Sequence, residues 1–184
     1  YPGEIDYARI AKIGEKHGAL LMADMAHIAG LIVGGVSPNP FDFGFHVITS
    51  TTHKTLRGPR GGLILSRGKV GNPLKKPEKT LENLPTLIDR SVFPGTQGGP
   101  QMHSIAGKAV AFFEALQPEF ASYAEQIVAN ARVLAEEMKR RGFKLITNGT
   151  KNHLILADVY SSFGIDGKTA ERAMDKIGLT LNAN

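Results

Sequence analysis

The chain has 184 residues, of which 42% are hydrophobic and none is cysteine, and it carries a formal net charge of +5 at pH 7. This length allows one sizeable hydrophobic core, and the lack of cysteine excludes disulfides, thiolate metal sites and cysteine nucleophiles. No apolar run approaches the roughly 20 residues of a transmembrane helix, so we expect a cytoplasmic protein with no membrane partner.

The first part of the chain predicts a helix, a strand and a second helix. Apolar residues recur at helical spacing over residues 5–17, and Gly18 is typical of a helix C-terminus. The apolar residues 19–23 predict a strand that is buried on both faces, as in a parallel sheet covered by helices. A second helical stretch follows over residues 26–33.

Residues 46–50 and 63–65 predict two further strands, and the polar run between them contains Lys54. Strands that alternate with helices at this spacing are typical of an α/β fold. We therefore expect a mostly parallel sheet flanked by helices. Residues 67–90 are polar and interrupted by prolines, including Pro73, and we interpret them as a surface excursion with one short helix.

The second half of the chain predicts long helices and then a smaller α/β unit. A helix is expected over residues 102–116, and the longest helix begins at Pro118 and runs to about Arg141. We expect residues 1–117 to belong to a large domain, and residues 118–184 to form a connecting helix and the beginning of a small C-terminal domain. The later segments predict strands at residues 143–146, 154–159 and 179–181, and a helix at residues 168–176.

Two polar side chains lie where neighbouring strands are predicted to end. Asp24 directly follows the first strand, and Lys54 follows the second strand, 54 − 24 = 30 positions later. This is about one crossover unit, so both residues should lie at the sheet edge where ligands of open α/β sheets bind. Lysine can act as a nucleophile toward carbonyl groups when its amine is unprotonated. The alternatives are a helix N-cap for Asp24 and a solvated surface position for Lys54.

Other features of the sequence carry weaker signals. The loop at residues 94–100 is glycine-rich and precedes a helix, so its backbone N–H groups could hold a phosphate. The six histidines show no familiar metal spacing, and we infer no metal site. Two basic clusters, at residues 75–79 and 139–141, are interpreted as solvated surface rather than as a nucleic-acid site.

Three segments of the chain, in this order, resemble the serine hydroxymethyltransferase family of fold-type-I pyridoxal-phosphate enzymes. They are DMAHIAG at residues 24–30, VITSTTHKTLRGPRGG at residues 47–62 and VFPGTQGGP at residues 92–100. The segment around Lys54 is the most specific. A weaker likeness in the second half extends the resemblance over nearly all of the chain. The resemblance implies a partial fold-type-I large domain followed by the start of a smaller α/β domain.

The resemblance also implies roles for individual residues. Lys54 would form the Schiff base with pyridoxal 5'-phosphate, and Asp24 would keep the pyridine nitrogen protonated, so that the ring can withdraw electrons. His27 would lie near the phenolic oxygen of the cofactor. Thr51 and His53 would flank the lysine and share its catalytic role. The remaining cofactor-binding residues implied by the resemblance are Arg60, Gly98 and Gly99.

The two glycines match backbone that, in this family, binds the phosphate held by the neighbouring subunit, which implies a homodimer or larger homo-oligomer with shared sites. The implied reaction interconverts serine and glycine and transfers a one-carbon unit to tetrahydrofolate. Because the chain begins with Tyr1 rather than with Met, we expect a segment of a longer protein that is inactive alone.

Two alternatives remain open on the sequence. Aspartate and lysine at successive strand ends recur in other fold-type-I enzymes, such as threonine aldolases and aminotransferases, although the segments around Lys54 and Gly98 argue against these. The second alternative is a basic RNA-binding module, which the positive net charge suggests.

Overall fold

The computed structural model of the chain describes residues 1–72 and 75–183. The predicted break at Pro73 lies outside the described residues. The chain divides into two compact units: the first comprises Asp6–Ala124, and the second comprises Tyr1–Ile5 together with the residues from Glu125 onward. The boundary between these units lies within the longest helix. Our division into domains at residues 117 and 118 stays a prediction.

Helices and short strands alternate through the first unit. Helix α1 spans Tyr7–Lys16, and the Asp6 carboxylate accepts a hydrogen bond from the Arg9 N–H at its start. The predicted helices at residues 5–17 and 102–116 are confirmed. The other elements of this unit are β1 (Met22–Asp24), α2 (Ala29–Val33), a 3-10 helix (Pro40–Phe43), β2 (Val47–Thr51), β3 (Gly62–Ser66), α3 (Leu84–Val92) and α4 (Met102–Ala115).

Strands β1, β2 and β3 form one sheet in that order. Strands β1 and β2 are parallel, with Asp24 opposite Thr49, whereas β2 and β3 are antiparallel, with Thr51 opposite Gly62. The second pairing is antiparallel because a short turn joins these strands, and only a long crossover can join parallel neighbours. The α/β class is therefore confirmed, and the described sheet contains one parallel and one antiparallel pairing.

The first strand differs from its prediction in length and burial. We expected a strand at residues 19–23 that is buried on both faces, but β1 spans only Met22–Asp24. Ala23 is buried, whereas Met22 is 64% exposed. The prediction of two buried faces was wrong for this strand, because within the described residues only the Ala23 face is covered.

The apolar core of the first unit includes the segment that carries Lys54. One cluster of buried side chains comprises Met25, Ala29, Ile48 and Leu56. Burial of a single Ile or Leu side chain stabilises a fold by about 1.5–3 kcal/mol. Because these four residues come from the end of β1, from α2, from β2 and from the loop after β2, the cluster fixes these segments relative to each other.

Helix α5 spans Pro118–Arg140, as predicted, and Gly142 after it has a φ of +89°. The second unit then contains a small antiparallel sheet of two strands. The strand predicted at residues 154–159 was wrong at its end, because the Asp158 carboxylate accepts the Ser161 N–H and starts a helix. Residues 179–181 form no strand, so that prediction was also wrong. The elements are β4 (Lys144–Leu145), a 3-10 helix (Ile146–Asn148), β5 (Ala157–Asp158), α6 (Val159–Phe163) and α7 (Gly167–Asp175).

The basic cluster at residues 139–141 is paired with acids on its own helix. Lys139 contacts Glu136 at 2.7 Å, and Arg140 and Arg141 contact Glu137 at 2.7 and 2.6 Å. Hydrogen bonds from Arg140 and then Arg141 lower the pKa of Glu137 to about 2. This pairing favours the surface interpretation of the cluster. In the described part of the chain, no helix combines the length and the apolar character needed to cross a membrane.

Candidate functional site

The parallel pairing of β1 and β2 brings the ends of both strands to one edge of the sheet. Asp24 is the last residue of β1, and Lys54 lies three residues beyond the end of β2. The Met25 N–H donates to the Thr49 carbonyl oxygen at 2.9 Å, which extends the pairing one residue past Asp24. The structure therefore places the acid and the lysine at the same edge, as expected from their spacing.

Helix α2 begins at Ala29 with Ile28 at its N-cap position, so the N-cap interpretation was wrong for Asp24. Asp24 Oδ1 accepts a hydrogen bond from the Ala26 N–H at 2.9 Å and holds the turn that leads into α2. A carboxylate has about four lone-pair positions, so this bond leaves capacity for a further partner. The bond within the turn and a role toward a ligand are therefore compatible in this exposed side chain.

The backbone around Lys54 is held by hydrogen bonds that the sequence did not indicate. Thr52 is fully buried, and its Oγ1 donates to the Pro59 carbonyl oxygen at 2.6 Å. Its own carbonyl oxygen accepts from the Gly58 N–H at 2.7 Å, and its N–H donates to the Gly61 carbonyl at 3.0 Å. These bonds close the loop between β2 and β3, while the Lys54 side chain is exposed.

Thr55 joins this loop to the segment that follows β1. Its Oγ1 accepts a hydrogen bond from the Gly30 N–H and donates one to the His27 carbonyl oxygen, each at 2.9 Å. The two segments are separated by 25 or more positions in the chain. A hydroxyl next to the lysine was the only sequence signal for this contact, and it does not identify the partner.

Replacing Gly30 with alanine should destabilise the fold, because an added Cβ would lie 2.2 Å from the Thr55 carbonyl oxygen. That oxygen belongs to the backbone and cannot rotate away, and such overpacking costs about 1–3 kcal/mol. Thermal unfolding measures the loss. Gly62→Ala is the matched control, since the nearest atom to its added Cβ is 4.0 Å away. Equal losses in both variants would contradict the packing argument.

His27 lies close enough to Lys54 and Asp24 to respond to both charges. Its pKa is lowered from the ordinary value of 6.5, first by partial desolvation and next by the positive charge of Lys54, while the Asp24 carboxylate opposes the shift. The imidazole therefore reports on the acid and the lysine together. The direction of this shift agrees with the placement of the three residues at one edge of the sheet.

Removing the Lys54 charge and removing the Asp24 charge should move the His27 pKa in opposite directions. Lys54→Met should raise it, because a repelling positive charge is lost, and Asp24→Asn should lower it, because a stabilising negative charge is lost. NMR titration of the imidazole measures both shifts. Lys16→Met, which removes an equal charge from α1, is the control and should leave the titration unchanged. Shifts of the same sign in the first two variants would refute this arrangement.

The lowered pKa of His27 also predicts how this residue makes the folding stability depend on pH. Folding favours the neutral ring, so its contribution to stability is fully present above about pH 6.5 and is lost as the pH falls below this value and through the lowered pKa of the folded state. The unfolded state binds the proton more readily, which sets this sign.

Thr51 and His53 precede Lys54 on the same segment, and Arg60 lies in the loop that follows it. Arg60 Nη1 lies 3.2 Å from His53 Nε2, and the Gly61 N–H lies 3.4 Å from His53 Nδ1. A neutral imidazole accepts at only one nitrogen, so these two donors compete. Thr51 Oγ1 donates a long hydrogen bond of 3.4 Å to the Ala26 carbonyl oxygen. The catalytic and binding roles of these residues stay predictions.

Gly98 and Gly99 lie in the exposed loop before α4. An added Cβ at either position would meet no heavy atom within 4 Å. The space that a side chain would occupy at either glycine is therefore open. Their predicted role toward a neighbouring subunit stays a prediction.

The chemistry of the sheet edge fits pyridoxal 5'-phosphate. An exposed lysine amine can bind an aldehyde, and a carboxylate at the neighbouring strand end can hold a proton on a ring nitrogen. The loop that carries the lysine is fixed on both sides, which preserves the placement of the amine. Among the described residues, no three His, Asp or Glu side chains converge as metal ligands.

Comparison with known proteins gives the same family as the sequence motifs. A family model described as serine hydroxymethyltransferase matches residues 1–184. A serine hydroxymethyltransferase of Mycoplasmopsis synoviae (strain 53) is 50% identical over 184 residues, and the match covers 100% of this chain and 40% of that relative. The chain thus spans 40% of the length of this curated relative. The resemblance seen in the three motifs is confirmed, and the chain belongs to the serine hydroxymethyltransferase family.

Proposed function

We propose that these residues form the cofactor-binding part of an enzyme that interconverts serine and glycine and transfers the one-carbon unit to tetrahydrofolate. Family membership supports the reaction. The parallel pairing of β1 and β2 carries the proposal for the site, because it places Asp24 and Lys54 at one sheet edge. The proposed cofactor is pyridoxal 5'-phosphate, with tetrahydrofolate as co-substrate.

When bound, pyridoxal 5'-phosphate supplies an aldehyde for amino groups and a ring that withdraws electrons from the substrate Cα. Lys54 would hold the cofactor through this aldehyde, and its amine would be freed when the amino group of the substrate takes its place. Asp24 holds a proton on the ring nitrogen, which maintains the electron-withdrawing character of the ring. His27, Thr51, His53 and Arg60 orient the cofactor around the lysine.

The assembly that we propose is a homodimer or larger homo-oligomer in the cytoplasm. Gly98 and Gly99 support it, since both lie in an exposed loop and an added Cβ at either would meet no heavy atom within 4 Å. Backbone N–H groups in such a loop can bind a phosphate held by a neighbouring subunit. Residues 1–117 would belong to the cofactor-binding domain and residues 118–184 to the connecting helix and the small domain.

The experiment that tests the reaction uses a protein of the relative's full length that contains these 184 residues. It should exchange the α-proton of glycine in a tetrahydrofolate-dependent manner. Exchange without any dependence on folate would favour another fold-type-I activity, such as that of a threonine aldolase or an aminotransferase. The 184 residues alone should show no turnover, since the chain spans 40% of the relative's length, and measured turnover would contradict this.

A further inference from the structure

Arg57 follows Lys54 by three residues and has an unusual backbone conformation. Its φ is +59°, in the left-handed region that a residue with a Cβ rarely adopts. The Arg57 N–H donates to the Lys54 carbonyl oxygen at 3.0 Å, so Arg57 is the last residue of a turn that begins at Lys54. The position of Arg57 therefore bears on this turn through the hydrogen bond, while its left-handed φ directs the chain toward Gly58.

The side chain of Arg57 is held against two aromatic rings. Its guanidinium carbon lies 4.4 Å from the centroid of the Tyr123 ring and 5.3 Å from that of Phe120, both on α5. The planar guanidinium can stack on such rings, which a lysine ammonium cannot do. Phe120 is only 3% exposed, whereas Tyr123, the nearer ring, is 37% exposed, so Phe120 is the buried member of this aromatic pair.

Glu114 on α4 adds a weaker contact to the same group. Its Oε2 lies 3.6 Å from Arg57 Nη2, and the two side chains are 57% and 44% exposed. Ion pairs at such exposure contribute little. The aromatic stacking is therefore the contact that can hold Arg57 in its strained conformation.

The other residues of the loop are fixed by different means. Thr52 is buried and bonded to Gly58, and Leu56 is buried in the apolar cluster. Arg57 is the residue of this loop whose backbone is strained and whose side chain reaches helices α4 and α5. Arg57 thus links the turn that contains Lys54 to residues that are at least 57 positions away in the sequence.

We propose that Arg57 is a positioning residue for Lys54, acting by stacking on Phe120 and Tyr123 so that the turn at residues 54–57 keeps the lysine at the sheet edge. Only the catalytic consequence of this role rests on the proposed function. The placement of Lys54 itself can be measured without the cofactor, because His27 responds to the Lys54 charge.

The first test measures the His27 imidazole by NMR titration in the full-length protein without added cofactor. In Arg57→Ala and in Tyr123→Leu the pKa of His27 should rise, because a displaced Lys54 repels the imidazolium less. Tyr123→Phe keeps the ring and should match the unsubstituted protein. Tyr123 has no contact with Lys54 in the loop described above, so its effect must pass through Arg57. An unchanged His27 titration in both Arg57→Ala and Tyr123→Leu would overturn the proposal.

The second test measures the rate at which borohydride fixes pyridoxal 5'-phosphate on Lys54, followed by mass spectrometry of the labelled peptide. Misplacement of a reacting group by about 1 Å can lower a reaction rate about 10²-fold. We therefore expect borohydride to fix the cofactor about 10- to 100-fold more slowly in Arg57→Ala and Tyr123→Leu. The double variant should be no slower than Arg57→Ala, since both changes remove one contact.

A control separates positioning from loss of stability. Leu145 is buried in β4 of the other unit, and Leu145→Ala should lower the melting temperature without changing either the His27 titration or the labelling rate. Equal slowing in Leu145→Ala would mean that Arg57 acts only through stability. If the unsubstituted protein shows no label on Lys54, the proposed function fails, and the cofactor-free titration still decides the role of Arg57.

Discussion

Replacing Lys54 with alanine is expected to abolish covalent attachment of pyridoxal 5'-phosphate and to lower turnover of the full-length protein by about 10²–10⁴-fold, the range typical of a group that takes part directly in the chemistry. The reason is its position: the amine is exposed at the end of β2, next to the end of β1, where a ligand of the sheet binds. Spectroscopy of the visible cofactor band and a steady-state assay measure the two losses.

Lys54→Arg is the informative companion of the alanine variant. Arginine keeps the positive charge and most of the length of the side chain, but its guanidinium stays protonated and cannot attack an aldehyde. It should therefore preserve the His27 titration and still fail to bind the cofactor covalently. Lys79→Ala, in an exposed segment, is the control and should behave as the unsubstituted protein. Borohydride label on a different lysine would defeat the assignment.

The helices of this chain could be predicted well because their signals are local. Gly18 and Gly142 end α1 and α5 with positive φ, and Pro118 begins α5. The lengths of the strands were harder to predict, because a strand ends where its partner ends. Asp158 illustrates this: the apolar run before it continues into Val159, but the capping bond to Ser161 starts a helix there instead.

The candidate site was predictable to the extent that it depends on strand order. A chain separation of one crossover unit between Asp24 and Lys54 was enough to place both at one edge. The contacts that fix the site were not predictable. Thr55 binds the backbone at Gly30 and His27, and Arg57 reaches α5, but such contacts depend on the packing of distant segments. Neither a hydroxyl nor an arginine identifies its partner in the sequence.

Arg57 also shows why a local rule fails where a distant contact compensates. The left-handed conformation of residue 57 predicts glycine by backbone preference alone. The chain has an arginine there, and its stacking on Tyr123 offsets the conformational cost, which for a residue in a sparsely populated region is about 1–3 kcal/mol. The exception therefore occurs in the loop that carries the proposed catalytic lysine.

Asp24→Asn is expected to leave the fold and the covalent attachment of the cofactor largely intact and to lower turnover by about 10²–10³-fold, the usual loss when one preorganised electrostatic partner is removed. Asparagine has the same shape, and its Oδ1 can still accept the Ala26 N–H that holds the turn before α2. Only the charge that holds a proton on the ring nitrogen is lost.

Asp24→Ala separates the two roles of this side chain. It removes the charge and also the hydrogen bond to the Ala26 N–H, and a hydrogen bond of this kind contributes about 0.5–1.5 kcal/mol. The alanine variant should therefore match the asparagine variant in turnover but unfold at a lower temperature. Thermal unfolding, borohydride labelling of Lys54 and the steady-state rate distinguish these effects. If Asp24→Asn retained the rate of the unsubstituted protein while Asp24→Ala lost it, Asp24 would act on the turn alone, and the proposed role toward the cofactor ring would have to be abandoned.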